Sequence, residues 1–316
     1  HRDLHLSLRR QRQMCIRDRH NTTEIAVEKE IVEKINVLAT TPMIAEYVRQ
    51  VGNDNIDLNI LMPYSADPHS FEASPQDAKK IADADLVFYV GLKYESANLV
   101  ELLENSVSSE DILIEIGPSI DPIEFSEEGH EGHDDHEGHD DHEGHNHGEF
   151  DPHYWLSAKN GKIMAANIAA AISEIDPDNS DYYQANVSTF QSSIDEINTQ
   201  IVELATPIAS KPFIPLHDAW YYYSEEFNLN IVDNFFPGGQ HQSTPQHTVE
   251  LTEKVENLGV TAIFSEIGLD TSALKGFAED NDLTISELDP LGGSPQTQSY
   301  QDLLLQNMKW INEGLK

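Results

Sequence analysis

The chain has 316 residues, 39% of them hydrophobic, and is long enough to bury the cores of two domains of ordinary size. Its 56 acidic residues far outnumber its 19 basic residues. The resulting net charge of −37 excludes nucleic acid as a partner, because phosphate recognition needs a basic surface. The single cysteine, Cys15, excludes both a disulfide framework and a thiolate zinc site.

The beginning of the chain differs in composition from the remainder. Residues 1–19 hold six of the seven arginines, the other being Arg49. This shift predicts a non-native head at residues 1–19, followed by an N-terminal lead-in at residues 20–34. The head lacks the apolar core of a secretory signal, so the native export signal is expected to be absent from this sequence. Cys15 leaves lipid anchoring open, although the residues before it do not resemble a lipoprotein anchor site.

Residues 35–157 alternate between strand and helix patterns, which indicates βαβ units and an N-terminal α/β lobe. The predicted strands cover residues 35–41, 56–62, 85–91 and 112–117. The predicted helices cover residues 42–51, 74–84 and 95–106. An acidic, histidine-rich insertion without apolar residues interrupts the lobe at residues 126–148 and should form a mobile loop.

A helical region is predicted over residues 158–210, including a long linker helix over residues 180–205 whose apolar positions recur at steps of three and four. Residues 211–316 form a second α/β lobe. Its predicted strands cover residues 212–217, 229–236, 261–267 and 284–288, and its predicted helices cover residues 245–258, 272–280 and 299–314. The expected fold is therefore α/β, with two lobes of mostly parallel sheets joined by a long rigid helix. A metal site is expected in the interlobe cleft, where such lobes place their ligands.

Histidines carry the chemistry of this sequence, because imidazole is the commonest metal ligand near neutral pH. Seven of the fifteen lie in the insertion: His130, His133, His136, His139, His142, His145 and His147. Their regular spacing among Asp and Glu predicts weak, multi-site metal binding, the alternative being an idle solvated loop. Ordering so glycine-rich a segment costs backbone entropy, which limits its affinity.

Beyond the head, the lead-in (which contains His20) and the insertion lie five further histidines: His69, His153, His217, His241 and His247. His69 follows a predicted strand, His217 ends another, and His153 lies in the DPHYW string that directly follows the insertion. Each of these three alone is more simply a structural histidine. Their placement in both lobes, with a histidine-rich loop between them, favours a shared metal site.

Four strings, DPHSFEASPQDAKKIADADLVFYVG, DPHYWLS, LHDAWYYYSEEFNL and ELDPLGG, resemble the zinc-type metal-binding receptors of ABC importers over residues 35–316. The resemblance implies ligand histidines at His69, His153 and His217, and an aspartate ligand at Asp289. It also implies two α/β lobes bridged by one rigid helix and a membrane permease as partner. The expected location is extracytoplasmic, in the periplasm or on the outer face of the cell membrane, with lipid anchoring left open. No family role is known for His241 and His247.

Zinc is the expected ion, because manganese- and iron-type relatives typically carry a glutamate where this chain has His217, and imidazole-rich sites suit zinc. The expected function is extracytoplasmic capture of Zn²⁺ and its delivery to an ABC importer by a monomer. The alternatives are a receptor for Mn²⁺ or another divalent metal, or a surface metal buffer or adhesin without a transporter. Water or another carboxylate could replace Asp289 as the fourth ligand.

An enzyme is not expected, because the sequence has no HExxH string to place a general base beside a metal. A zinc hydrolase could recruit Glu72, Asp218 or Glu266 as its base. Each of these is more simply an acid that orients a ligand or supports the fold.

Overall fold

The computed structural model describes residues 34–64, 66, 71–125, 149–236 and 243–316. The expected head at residues 1–19 and nearly all of the lead-in lie outside the described residues. The described residues belong to one compact unit, Lys34–Lys316. Within them, no helix is both long and apolar enough to cross a membrane.

The N-terminal lobe is a four-stranded parallel sheet in the order β2-β1-β3-β4. Its strands are β1 (Ile35–Ala39), β2 (Ile56–Ile60), β3 (Leu86–Tyr89) and β4 (Leu113–Glu115). Its helices are α1 (Pro42–Gly52), α2 (Pro75–Ala82) and α3 (Ala97–Ser106). Each helix begins where the sequence supplies a cap, as when the Thr41 side chain accepts the Ile44 amide ahead of α1.

Two helices follow the histidine-rich insertion, α4 (Ala158–Ile175) and α5 (Ser180–Ala205). The bounds predicted for α5 are confirmed. Its apolar stripe, which includes Tyr183, Phe190 and Ile201, is buried. Because α5 packs against α1 of the N-terminal lobe and against the last helix of the chain, it connects the two lobes along its length.

The C-terminal lobe repeats the parallel arrangement in the order β6-β5-β7-β8. Its strands are β5 (Pro212–Pro215), β6 (Asn230–Ile231), β7 (Ala262–Glu266) and β8 (Thr284–Leu288). Its helices are α6 (Tyr221–Phe227), α7 (Pro245–Leu258), α8 (Ser272–Asp280) and α9 (Tyr300–Gly314). The expected fold class, two α/β lobes with parallel sheets, is confirmed.

The strand predicted over residues 229–236 is wrong in extent, since only Asn230–Ile231 pairs as a regular strand. The chain then leaves the sheet and returns at an isolated bridge between His217 and Phe236. There the Phe236 amide donates to the Leu216 carbonyl at 2.6 Å. The short helix α6 was not predicted, because its run of aromatic residues has no helical periodicity and no side-chain cap.

Aromatic side chains fill the junction where α1, α5 and α9 meet. The ring of Tyr300 lies 4.7 Å from that of Tyr47 and 5.8 Å from that of Phe190. The Tyr300 hydroxyl donates to the Trp155 carbonyl at 2.8 Å, and the Trp155 indole donates to the Pro290 carbonyl at 2.7 Å. The segment around Trp155 is therefore tied to the C-terminal lobe.

Candidate metal centre

The structure brings together two of the predicted ligands, His153 and His217. Their ring centroids lie 5.2 Å apart at an interplanar angle of 72°. His153 immediately precedes a short 3-10 helix, Tyr154–Leu156, and His217 follows β5. Both positions lie just outside regular elements, where side chains can converge on a ligand without disturbing the sheet.

The imidazole of His153 is held by a neighbour two residues earlier in the chain. Its Nδ1 lies 2.7 Å from Oδ1 of Asp151, and its backbone amide donates to the same oxygen at 2.8 Å. His153 is 1% exposed and Asp151 is fully buried. Burial raises the pKa of Asp151 well above its usual value, and the nearby Asp218 raises it further. An imidazole whose Nδ1 is bound to a carboxylate coordinates a metal through Nε2.

The imidazole of His217 is held in the same way, but by a residue distant in sequence. Its Nδ1 lies 2.7 Å from the carboxylate of Glu266, at the end of β7, and the Trp220 indole donates to that carboxylate at 3.2 Å. Burial lowers the pKa of His217, but the charge and hydrogen bond of Glu266 outweigh this effect and, with Asp218 and Asp151, raise the pKa to about 9. Without an ion, His217 is therefore protonated at neutral pH.

The carboxylate of Asp289, predicted as the fourth ligand, is buried and surrounded by protein donors. Its Oδ1 accepts the backbone amides of Leu291 at 3.0 Å and Gly292 at 2.8 Å. Its Oδ2 accepts the hydroxyls of Thr297 at 2.5 Å and Tyr64 at 3.2 Å. Asp289 could reach an ion only by giving up part of this set. Among the residues that the structure describes, no three His, Cys, Asp or Glu side chains are arranged to hold a metal ion.

The remaining predicted ligands lie outside the described residues. These are His69 and the seven histidines of the insertion (His130, His133, His136, His139, His142, His145 and His147). His241, for which no role was predicted, also lies outside the described residues. His247, at the start of α7, is described, and its Nε2 lies 3.0 Å from the Asn234 carbonyl and 4.0 Å from Asp233. These contacts indicate that His247 has a structural role within the C-terminal lobe.

The two ends of the insertion are fixed close to His153. Glu124 and Phe150 form an antiparallel bridge, and the Asp151 amide donates to the Ile123 carbonyl at 2.8 Å. The Tyr222 hydroxyl accepts the Ile123 amide at 2.9 Å and donates to the Asp151 carbonyl at 3.1 Å. The histidine-rich segment therefore leaves and re-enters the fold beside the residue that orients His153.

Sequence reasoning missed two residues that shape the site. Asp151 was detectable, because an acid two residues before a histidine can bond its amide and its ring at once. Trp220 was not, because its bond to Glu266 joins residues 46 positions apart. Glu266, expected to be an orienting or structural acid, contacts the ring of His217.

Comparison with known proteins identifies the family of the chain. A family model described as ZnuA, zinc-uptake complex component A, periplasmic, matches residues 37–314. The chain belongs to this family. It is therefore the metal-binding receptor of an ABC importer and not an enzyme.

The similar curated proteins are receptors of the same kind. The manganese ABC transporter substrate-binding lipoprotein PsaA of Streptococcus mitis is 26% identical over 293 residues, covering 90% of each chain. The metal ABC transporter substrate-binding lipoprotein FimA of Streptococcus parasanguinis is also 26% identical, covering 89% of each.

Solved structures show the same fold. A crystal structure of ZnuA superposes with a TM-score of 0.76 at 24% identity, covering 90% of this chain and 100% of that one. The manganese-bound periplasmic metal-binding protein of Candidatus Liberibacter asiaticus superposes with a TM-score of 0.72 at 22% identity, with the same coverage.

Proposed function

We propose that the chain captures Zn²⁺ outside the cytoplasm and delivers it to the membrane permease of an ABC importer. The observation that carries this proposal is the position of His217. An imidazole, rather than a carboxylate, lies 5.2 Å from the ring of His153 at the boundary of the two lobes. Paired imidazoles favour zinc over the harder ions, which prefer oxygen ligands.

The proposed ligands are His69, His153 and His217, with Asp289 or water completing a tetrahedral site. Both described histidines present a ring whose Nδ1 is bonded to a buried carboxylate, Asp151 or Glu266. Such pairing fixes the tautomer and orientation of a zinc-bound imidazole and increases its basicity. The negative charge of Glu266 behind His217 also favours a divalent cation over a neutral solute.

Manganese is the alternative ion, and it is supported by the relatives. PsaA of Streptococcus mitis is described as a manganese receptor and is similar along 90% of this chain. Zinc is nevertheless the better proposal for this chain, because the family's manganese-type members typically carry a glutamate where this chain has His217.

The histidine-rich insertion is proposed as an auxiliary site that collects zinc close to the cleft. Its support is the stem formed by Glu124 and Phe150, which ends at Asp151. The similar PsaA and FimA proteins are described as lipoproteins. We accordingly propose an extracytoplasmic location, with a lipid anchor as one means of attachment, and a monomeric receptor.

The substitution His217→Glu tests the choice of metal. It replaces an imidazole by a carboxylate oxygen, so zinc affinity should fall and the ratio of manganese to zinc affinity should rise. His247→Gln is the control, because it removes a histidine of the same lobe that bonds to a backbone carbonyl. Competition titrations with both ions check the result. A wild-type protein that prefers manganese, or an unchanged zinc affinity in His217→Glu, would contradict the zinc proposal.

Deleting residues 127–148 tests the auxiliary role of the insertion. Titration of the full chain should show one tight site and at least one weaker site. The deletion should remove only the weaker binding, because His153 and His217 are held by residues outside the insertion. Loss of the tight site together with the insertion would show that the insertion supplies a cleft ligand.

A further inference from the structure

An unusual turn follows β3 in the N-terminal lobe. Three consecutive residues have positive φ angles: Gly91 at 83°, Leu92 at 51° and Lys93 at 62°. Leucine and lysine are disfavoured in this left-handed conformation, because the Cβ atom approaches the following carbonyl oxygen. Such a conformation persists only where the surrounding structure enforces it, and it often marks a functional site.

The buried carboxylate of Glu95 enforces this turn. Glu95 is 2% exposed, and it accepts the amides of Val90 at 2.9 Å and Gly91 at 3.0 Å. It also accepts the hydroxyl of Thr40, which follows β1, at 2.8 Å. The turn is thereby fixed to the carboxyl ends of two adjacent strands of the sheet.

The turn places the ring of Tyr94 against the metal centre. Tyr94 is 1% exposed, and its ring lies edge-on to the imidazole of His153, with centroids 5.7 Å apart at 86°. The same ring lies 4.9 Å from that of Trp155, which is itself 5.2 Å from His153. His153 therefore contacts two buried aromatic rings while its Nδ1 is bonded to Asp151.

We propose that Tyr94 is a positioning residue that fixes His153 and thereby favours a four-coordinate ion over one that needs more ligands. The inference rests on the zinc function proposed above. Zinc takes four ligands in a tetrahedron, whereas manganese favours six oxygen-rich ligands. A large ring packed against an immobilised ligand restricts both the movement of that ligand and the space for additional waters. The strained turn holds the ring in this place.

A purely structural role for Tyr94 makes a different prediction. The ring belongs to the main hydrophobic core of the protein. If it only filled that core, its replacement would lower the melting temperature and weaken all metals equally. Selectivity, measured as the ratio of zinc to manganese affinity, separates the two roles.

The main experiment compares Tyr94→Leu with Tyr94→Phe. Tyr94→Leu keeps an apolar side chain but removes the ring, and zinc affinity should fall about 10–100-fold, as for other residues that orient a metal ligand. Manganese affinity should change much less, so the zinc-to-manganese ratio should fall. Tyr94→Phe retains the ring and should retain the ratio. Phe88→Leu is the matched control: Phe88 is fully buried in the neighbouring strand β3, so this change should lower only the melting temperature.

Two variants test the turn. Glu95→Gln replaces the carboxylate that accepts the two amides by a neutral amide. Like Tyr94→Leu, it should lower the ratio of zinc affinity to manganese affinity. Lys93→Gly relieves the left-handed conformation at an exposed position, so it should leave the ratio unchanged and the melting temperature equal or higher. A Glu95→Gln protein with a lower melting temperature and an unchanged ratio would overturn the role of the turn.

The outcomes also separate this inference from the zinc proposal. A wild-type protein that prefers manganese contradicts the zinc proposal, whatever Tyr94 does. A wild-type protein that prefers zinc, with a Tyr94→Leu variant that loses affinity for both ions equally, overturns only the role of Tyr94. Melting temperatures measured in a chelator verify that each variant is folded.

Discussion

The two described histidines of the metal centre are oriented by the same chemistry but through different parts of the fold. His153 bonds to Asp151, two residues earlier, whereas His217 bonds to Glu266, on a neighbouring strand 49 residues later. The side chain of His153 is 2% exposed, against 13% for His217. His153 is therefore fixed by local chain geometry and packing, and His217 by formation of the C-terminal sheet.

This difference indicates that the two histidines have different roles in the site. A buried, locally fixed imidazole supplies a constant coordination geometry. The more exposed imidazole is protonated without an ion, because Glu266 raises its pKa to about 9. We expect the protonation of His217 to change with pH, whereas His153 keeps a constant geometry. The predictions below test that contrast.

The largest effects should come from removing either ring. His153→Ala and His217→Ala should each weaken zinc binding more strongly than the loss of a residue that only orients a ligand, which typically costs about 10–100-fold. His153→Ala should also lower the melting temperature more in a chelator, because it leaves a cavity among buried aromatic rings. Zinc titration and thermal unfolding check both statements. Equal destabilisation by the two variants would remove the proposed contrast.

The next effect concerns pH. Because the pKa of His217 is raised from 6.5 to about 9, its protonated form stabilises the metal-free fold fully below pH 6.5, and this contribution is lost as the pH rises through about 9. Zinc must displace that proton, so zinc affinity should rise up to about tenfold per pH unit between these values. The melting temperature in a chelator should therefore fall across the window while the zinc-induced increase grows. A zinc affinity independent of pH from 6.5 to 9 would exclude His217 as a ligand.

Replacing the orienting carboxylates should produce smaller, pH-dependent effects. Asp151→Asn and Glu266→Gln should each cost about 10–100-fold in zinc affinity at pH 9, because both rings lose an ordered partner. Near pH 7 the loss in Glu266→Gln should nearly vanish, since the variant no longer favours the protonated ring that competes with zinc. Titrations at the two pH values check this. Equal losses at both would mean that Glu266 does not control the protonation of His217.

Much of the fold was predictable because local sequence signals mark where its helices and strands begin and end. Helix α7 begins after the Thr244 cap and ends at Leu258, where the following Gly259 adopts a left-handed conformation, and its predicted bounds are confirmed. The strands β1, β2 and β5 were predicted two residues too long at their carboxyl ends. Residues such as Thr40 and Leu216 continue the apolar or β-branched pattern but belong to the turns that lead into the site.

The site was less predictable, because its supporting contacts are distant in sequence. The DPH string contains both His153 and the carboxylate that orients it, Asp151, so this half of the site could be predicted from the sequence. The pairing of His217 with Glu266 requires strands β5 and β7 to be adjacent, and nothing near His217 specifies that. The strained turn before Tyr94 likewise depends on Glu95 and the two strand ends, so it could not be predicted from a local sequence pattern.

The smallest effect concerns the fourth ligand, the part of the site that belongs to neither histidine. If Asp289 coordinates the ion, it must first release a donor from Oδ2, which accepts the hydroxyls of Thr297 and Tyr64. Thr297→Val removes one of these bonds, so it should tighten zinc binding by no more than about tenfold while lowering the melting temperature in a chelator. Thr284→Val is the control, because that exposed hydroxyl donates to the Thr261 carbonyl, away from Asp289. An unchanged zinc affinity in Thr297→Val, with a lowered melting temperature, would exclude Asp289 as the fourth ligand. That position would then belong to water or another carboxylate, and Asp289 would be the anchor of the segment that follows β8.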